Sequence, residues 1–252
     1  MSKLSAILLP YNLPLYRGKL IRRYKRFLAD VELEDGSTVT VHVPNSGSMK
    51  NCGAPGNEIV VSDSGNPKRK LRMTLELIRV APGPNGWAGI NTMLPNALVA
   101  SAIEAGVVPE LAGYASLKRE VTVEQGSRLD IVLADGPECS RCLVEVKNVT
   151  MVEGRAALFP DSVTERGRKH LEVLARAAGR GERAVIFFLV QRPDCSVFST
   201  ADSIDPAYGE TLRQVTARGV ELLVYRSVLD LEGARLESSP MTYVPAPELA
   251  VD

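Results

Sequence analysis

The chain has 252 residues, of which 45% are hydrophobic and 24% charged, and its formal net charge at pH 7 is zero. This composition is typical of a globular protein with one large domain or two small ones. A neutral chain argues against a protein that coats nucleic acid with its whole surface. The chain carries no long apolar run, no signal-peptide pattern and only 4 cysteines, so we expect a cytoplasmic protein.

The first third of the chain predicts short strands separated by turns. We expect strands at 20–21 leading into 27–31, then at 38–43, 58–62 and 71–78, with Asp35-Gly36 as a turn signal. Many short strands of this kind predict a small all-β domain, and an OB-like barrel over residues 1–85 fits the size. The Gly/Pro-rich stretch at 81–86 supplies the predicted boundary.

Residues 86–252 carry a mixed pattern of helices and strands. The apolar periodicity predicts these elements in order: a helix over 91–105, strands over 117–124, 128–133 and 141–149, a helix over 164–180, a strand over 184–190, a helix over 208–218 and a strand over 220–225. The order is αβββαβ with a further αβ unit. Together the two parts predict an α/β protein with a mixed sheet, preceded by the all-β barrel.

Asp130, Glu145 and Lys147 lie in the second and third of the three consecutive strands. The turn-rich segment 134–140 joins these strands into a hairpin whose symmetric pairing places Asp130 opposite Glu145, with Lys147 on the same face as Glu145. Opposed carboxylates are unfavourable unless a cation lies between them. We therefore predict Asp130, Glu145 and the Val146 backbone carbonyl as ligands of Mg²⁺, or of Mn²⁺ in its place. A surface hairpin with a Glu145–Lys147 salt bridge is the alternative.

This hairpin resembles the D…E-x-K motif of the PD-(D/E)XK nuclease fold, and the αβββαβ order is that of the nuclease core. Asp130, Glu145 and Lys147 are accordingly the predicted catalytic residues. The metal would polarise a phosphodiester and lower the pKa of an attacking water, which Lys147 would position. We interpret Glu104, on the preceding helix, as an exposed helix-end residue and leave it out of the site.

Basic residues concentrate in two clusters. Six of the ten residues from Arg17 to Arg26 are basic and none is acidic, and residues 68–72 form the second cluster. Interleaved Tyr24 and Phe27 suit stacking on unpaired bases. A solvated basic face is the alternative to DNA binding. The predicted DNA-binding residues, which would contact phosphates, are Arg22, Arg23, Lys25, Arg26, Lys68, Arg69 and Lys70.

The segment before and within the helix at 164–180 contains further polar residues. Arg166 and His170 are four residues apart on one helix face and could contact phosphate beside the metal. We interpret His170 as part of a solvated cationic helix turn. We interpret Asp161 and Ser162 as the capping region of the helix.

Several segments together resemble the sugar fermentation stimulation protein A family. They are residues 20–30, 42–49, 68–70, 110–114, 128–130, 145–147 and 159–171. The resemblance covers nearly the whole chain. It implies an OB-like domain joined to a nuclease-like domain, DNA binding without sequence preference, and a proposed regulatory role in sugar, especially maltose, metabolism.

Two hypotheses of function follow, and both stay open at this point. The first is a DNA-binding accessory protein in which the nuclease-like fold serves as a scaffold. The second is a Mg²⁺-dependent DNA endo- or exonuclease. A sugar-metabolising enzyme has little support, because the chain has no P-loop, dinucleotide fingerprint or nucleophile elbow. We expect no small-molecule cofactor.

Overall fold

The computed structural model of the protein describes residues 8–45, 47–124, 126–136 and 139–248. The predicted turn at 134–140 includes residues 137 and 138, which lie outside the described residues. The described strands form three sheets. No helix in the described part of the chain is both long and apolar enough to cross a membrane.

The N-terminal part is built from strands alone. They are β1 (Leu9–Pro10), β2 (Leu15–Tyr24), β3 (Leu28–Leu33), β4 (Thr38–His42), β5 (Glu58–Asp63), β6 (Met73–Arg79) and β7 (Trp87–Gly89). Six of them form a sheet in the order β4-β3-β2-β5-β6-β7, and a β4–β6 pairing at His42 and Thr74 closes the barrel. Alternate residues of β3, namely Ala29, Val31 and Leu33, point into its core. The predicted OB-like barrel is confirmed.

The remaining elements form the α/β part of the protein. They are α1 (Leu94–Glu104), β8 (Ser116–Glu124), β9 (Ser127–Ala134), β10 (Arg141–Val149), β11 (Met151–Glu153), β12 (Ala156–Phe159), α2 (Glu165–Gly179), β13 (Arg183–Val190), β14 (Val197–Thr200), α3 (Pro206–Ala217), β15 (Glu221–Leu229), β16 (Gly233–Leu236) and β17 (Thr242–Tyr243). The predicted αβββαβ order is confirmed, with short strands added between its elements.

The main sheet of this part has seven strands in the order β1-β16-β15-β13-β10-β9-β8. Its central strands β10, β13 and β15 are parallel and β8, β9 and β10 antiparallel, so the sheet is mixed as predicted. Leu98 of α1 packs on one face with Val144, whereas Leu171 of α2 packs on the other face with Leu143. The two helices therefore cover opposite faces of β10. A second sheet, β11-β12-β14-β17, packs beside it.

Some boundaries differ from the sequence prediction. Near the two ends of the described chain, Leu9–Pro10 pairs with β16 and Thr242–Tyr243 pairs with β14. The short strand Trp87–Gly89 joins the barrel sheet just after the proposed boundary at residue 85, and that boundary stays a prediction. Glu104 is the exposed last residue of α1, as expected.

Candidate metal centre and nucleic-acid interface

The hairpin of β9 and β10 has the predicted register. Cys142 pairs with Leu133 and Val144 with Ile131, so one further step places Glu145 opposite Asp130. The regular pairing ends just before that step. Asp130 and Glu145 therefore lie where the two strands separate, and their carboxylates face a cleft instead of a continuous sheet surface.

The pairing of β9 with β8 is also interrupted at Asp130. Arg119 pairs with Ile131 and Val121 with Leu129, and Glu120 between them has a φ of 57°. This left-handed conformation is uncommon for a glutamate and breaks the pleat. Asp130 thus loses regular neighbours on both sides, which frees its side chain for other contacts.

The carboxylate of Asp130 is held by two hydrogen bonds. The Val146 backbone N–H donates to Oδ2 at 2.8 Å, and the Asn96 side-chain amide donates to Oδ1 at 2.6 Å. Burial, followed by repulsion from Glu145, raises the pKa of Asp130 to about 6. The site therefore brings together two carboxylates that repel each other, as the sequence predicts.

Glu145 is 2% exposed and its two oxygens have different surroundings. Oε1 accepts a hydrogen bond from Lys147 Nζ at 2.5 Å and contacts His170 Nδ1. Oε2 is buried with no hydrogen-bond partner among the described residues. Burial raises the pKa of Glu145, but the nearby Lys147 and His170 outweigh it and hold the pKa below its usual value. Glu145 therefore has the lower pKa of the two carboxyl groups.

These residues fit a divalent cation. A buried carboxylate oxygen without a partner is costly, and a hard cation accepts oxygen ligands. The described residues contain no group of three or more His, Cys, Asp and Glu side chains arranged to hold a metal. The site therefore suits an ion that binds one or two carboxylates and completes its coordination shell with water and phosphate oxygens, as Mg²⁺ does. Ligation by the Val146 carbonyl stays a prediction.

The carboxylates open into a cleft of about 500 Å³. Besides the strands that carry the carboxylates and their neighbours, three further parts of the chain contribute to its walls. The segment before and within α1 contributes Thr92 and Asn96, the barrel loop after β4 contributes Asn45 and Gly47, and the segment around the start of α2 contributes Ser162, Thr164, Arg166 and His170. The cleft thus lies between the barrel and the α/β part.

Two interpretations of the segment at α2 were wrong. His170 is not solvated: its side chain is 12% exposed and contacts Glu145, because α2 packs across the face of β10 that carries this residue. Asp161 does not cap the helix, since Thr164 is the N-cap and its Oγ1 accepts a hydrogen bond from Gly167 N–H. Asp161 instead accepts hydrogen bonds from Ser48 Oγ and Met49 N–H, both at 3.4 Å.

The sequence interpretation missed Asn96 and Glu120. Asn96 Nδ2 bridges Asp130 and Glu120, because it donates to Glu120 Oε1 at 3.2 Å as well as to Asp130 Oδ1. Glu120 in turn forms an ion pair with Arg128 at 2.9 Å. The sequence contains a signal for Asn96, since it is the polar residue in the otherwise apolar first half of α1. Glu120 ends a run of three charged residues, Lys118-Arg119-Glu120, but nothing in this run indicates a left-handed glutamate.

Five of the seven predicted DNA-binding residues lie on two connections of the barrel. Lys25 and Arg26 form the β2–β3 turn with φ values of 47° and 61°, and Lys68, Arg69 and Lys70 lie in the β5–β6 loop. Leu28, just after the β2–β3 turn, pairs with His42 of β4. His42 pairs in turn with Thr74, just after the β5–β6 loop, where the barrel closes. Two strand spacings, roughly 10 Å, therefore separate the bases of these connections. We call these five exposed cations the barrel rim.

Arg22 and Arg23 differ from the barrel rim. Arg22 is exposed and pairs with Asp30 at 2.8 Å. Arg23 is partly buried, and its guanidinium donates to the backbone carbonyls of Asn45, Gly47 and Ser48 at 2.9 Å each. The structure thus gives Arg23 a role in holding the loop that lines the cleft, and its contact with DNA stays a prediction.

A second cavity of about 450 Å³ connects the cleft to the barrel rim. Gly47 and Ser162 line both cavities, and Tyr24 and Arg26 line the second one. The two cavities therefore form one continuous surface from the paired carboxylates to the β2–β3 turn.

Known proteins resemble this chain along most of its length. A family model described as the SfsA N-terminal OB domain matches residues 21–90, and one described as the sugar fermentation stimulation protein RE domain matches residues 93–233. The chain belongs to the sugar fermentation stimulation protein family. The resemblance predicted from the sequence is confirmed.

Individual relatives cover both parts of the chain. The sugar fermentation stimulation protein homolog of Pelobacter propionicus is 57% identical over 224 residues, which are 89% of this chain and 95% of the relative. The homolog of Geobacter sulfurreducens is 56% identical and covers 88% of this chain and 94% of its own. Among solved structures, SfsA of Pyrococcus furiosus in complex with Ca²⁺ is 27% identical, with a TM-score of 0.82 over 94% of this chain and 98% of that chain.

Proposed function

We propose that this protein binds DNA without sequence preference and hydrolyses phosphodiester bonds with Mg²⁺ or Mn²⁺ held in the cleft. The observation that carries the proposal is the unpartnered, buried Glu145 Oε2 beside Asp130, with Lys147 next to them. The structure of Pyrococcus furiosus SfsA in complex with Ca²⁺ supports a divalent-cation site in this family. Ca²⁺ and Mg²⁺ share a preference for oxygen ligands.

Each residue of the cleft has a part in this chemistry. A cation bound by Asp130 and Glu145 would polarise the phosphodiester and lower the pKa of the attacking water. Asn96 and the Val146 N–H fix the orientation of Asp130, and His170 fixes Glu145 Oε1. The ammonium group of Lys147, 14% exposed, is placed to orient the water or to stabilise negative charge on the phosphate.

The barrel rim supplies the binding part of the proposal. Loops at these positions of an OB barrel commonly border the surface that binds oligonucleotides. The five cations of the rim are exposed and would contact phosphates, which confers affinity without base recognition.

A DNA-binding scaffold without cleavage is the second candidate. It is favoured by the contacts of Lys147 and His170 with Glu145, which neutralise this carboxylate without a metal. A regulatory role in sugar, especially maltose, metabolism would then follow from DNA binding, not from chemistry on a sugar.

Cleavage assays separate the two candidates. Labelled single-stranded, duplex and branched DNA would be incubated with Mg²⁺ or Mn²⁺ and the parent protein, Asp130→Ala or Lys147→Ala, with binding measured in the same samples. Glu104→Ala serves as a control, because Glu104 is an exposed carboxylate that does not line the cleft. Cleavage that is lost in the first two variants while binding persists supports the nuclease. Binding without cleavage of any substrate supports the scaffold.

A further inference from the structure

Strand β10 has a partner on only one side beyond Val144. Its pairing with β9 ends at Val144, whereas its pairing with β13 continues to Val149. Backbone groups of alternate residues point to the same edge of a strand. The Val146 N–H points to the open edge, where it donates to Asp130, and the Val149 carbonyl points to the β13 side. The Asn148 N–H therefore points to the open edge, beside the cleft that Asn148 lines.

The side chain of Asn148 presents its nitrogen to the cleft. Its Oδ1 accepts a hydrogen bond from Gln191 Nε2 at 2.7 Å. No described residue accepts a hydrogen bond from its Nδ2, and Asn148 is half-buried in the cleft wall. An amide nitrogen only donates, so it does not ligate a metal ion. The Nδ2 and the backbone N–H are thus two neutral donors for an acceptor in the cleft.

Gln191 fixes this orientation from inside the protein. Its side chain is 0% exposed, and its Oε1 has no hydrogen-bond partner among the described residues. Gly89 of β7 makes room for the side chain, because a Cβ at Gly89 would lie 2.4 Å from Gln191 Oε1. A buried amide with an unpaired oxygen is costly, whereas an apolar side chain could fill the same space without that cost. What the glutamine adds is the donor that directs the nitrogen of Asn148 outward.

Two neutral donors beside the paired carboxylates suit a phosphate group. Phosphate oxygens accept hydrogen bonds from backbone N–H groups and from asparagine side chains. The Asn148 N–H lies about 6.6 Å along the strand from the Val146 N–H, which holds Asp130. This distance is close to the spacing of adjacent phosphates along a nucleic-acid strand. The donors are therefore placed for the phosphate next to the one at the metal site.

We propose that Asn148 binds the phosphate adjacent to the scissile one through its N–H and Nδ2, and that Gln191 is a positioning residue for this contact. The inference rests on the proposed function for the place of the scissile phosphate, and it adds a second phosphate subsite. A protein with this subsite prefers ligands that carry two neighbouring phosphates to those that carry one.

Binding of small nucleotides tests the subsite without cleavage. Thymidine 3′,5′-bisphosphate, thymidine 3′-monophosphate and thymidine 5′-monophosphate would each be titrated by calorimetry into the protein with saturating Mn²⁺. The proteins are the parent, Asn148→Ala, Asn148→Asp, Gln191→Met and Gln214→Ala. Gln214 is the matched control, because it is an exposed amide on α3 that lines neither the cleft nor the second cavity. Methionine approximates the volume of Gln191, and thermal unfolding shows that each variant is folded.

We expect the parent and Gln214→Ala to bind the bisphosphate about tenfold more tightly than either monophosphate, as hydrogen bonds to a charged group allow. Asn148→Ala keeps the backbone N–H, so its preference should fall to about threefold. Asn148→Asp places an oxygen where the nitrogen was, and this repulsion should abolish the preference. Gln191→Met should resemble Asn148→Ala in this ratio while its affinity for Mn²⁺ stays that of the parent, which a merely structural role would not produce.

Equal binding of the bisphosphate and the monophosphates by the parent, or an Asn148→Asp protein that keeps the preference of the parent, overturns the inference. A Gln191→Met protein with the full preference overturns the positioning role of Gln191.

The subsite and the proposed function fail in different ways. A bisphosphate preference that depends on Asn148, without cleavage of any DNA, would remove the nuclease activity and keep the subsite. Cleavage of DNA by a parent protein that shows no such preference would keep the proposed function and remove the subsite.

Discussion

The cleft and the barrel rim both depend on charged residues, but they use them in different ways. In the cleft, Glu145 is 2% exposed and its neighbours come from β9, β10 and α2, so each charged group has a fixed position. On the barrel rim, Lys25, Arg26 and Lys68 project into solvent from turns. The cleft is suited to act on one phosphodiester, and the rim to attract many phosphates without selecting among them.

Arg23 shows that position in the sequence does not decide which of the two roles a basic residue takes. It lies within the first basic cluster, yet its guanidinium bonds to loop carbonyls and the loop lines the cleft. Arg26, three residues later, is exposed at the turn. Within this cluster, Arg23 therefore holds the loop, and Arg26 is the residue that we propose to contact phosphates.

The largest expected effect is on cleavage, from Glu145→Gln. The amide keeps the shape of the side chain but loses the charge that a cation requires, so metal-dependent cleavage should fall by about a thousandfold or more. Binding of DNA should change less than about twofold, because the barrel rim is intact. Steady-state cleavage and fluorescence anisotropy measure the two effects, with Glu104→Gln as the control. A variant that cleaves as fast as the parent would contradict the role of Glu145.

Arg23→Ala should destabilise the fold. It removes hydrogen bonds from a charged group to three backbone carbonyls of the loop, for which we expect a loss of about 2–3 kcal/mol in the free energy of unfolding. Denaturant unfolding measures this loss. Arg22→Ala is the control, since Arg22 is exposed and should leave the unfolding midpoint near that of the parent. Equal midpoints for the two variants would show that Arg23 does not hold the loop.

Neutralising the barrel rim should weaken DNA binding without affecting the cleft. The combined change Lys25→Ala, Arg26→Ala, Lys68→Ala and Lys70→Ala should lower affinity about 10- to 30-fold at low salt. It should also reduce the slope of log K against log salt by about three. Arg218→Ala, which removes an exposed arginine after α3, should leave the slope unchanged. An unchanged slope in the combined variant would remove the rim from the binding surface.

The smallest expected effect is on stability, from Asp130→Asn. The pKa of Asp130 is raised from 3.8 to about 6, so its contribution to stability is complete below about pH 4 and is lost as the pH rises through 6. The amide of the Asp130→Asn variant does not ionise, so the free energy of unfolding of this variant at pH 8 should be higher than that of the parent. We expect a difference of about 1 kcal/mol, because the loss of one acceptor oxygen offsets part of the gain.

Urea unfolding in EDTA at pH 4.5 and pH 8 checks the prediction for Asp130. The two proteins should approach each other at the lower pH, because the parent is then largely protonated at this position. A gain that is equal at both pH values would show that the ionisation of buried Asp130 beside Glu145 is not its cause.

The sequence was sufficient for the parts of the fold that local rules determine. The hairpin register followed from the symmetric position of its turn, and the end of α1 followed from Gly106, which has a φ of 72°. His170 could not be placed in this way, because its surroundings depend on how α2 packs across β10. The interruption at Glu120 also escaped prediction, since nothing in its strand signals a left-handed glutamate.

The central claim is that the cleft holds a divalent cation independently of the barrel rim. A calorimetric titration with Mn²⁺, in the absence of DNA, tests it most directly on the parent, Glu145→Gln and the combined rim variant. We predict that the parent and the rim variant each bind Mn²⁺ with similar affinity and that Glu145→Gln loses this binding. No binding to the parent, or equal binding to Glu145→Gln, would contradict the claim.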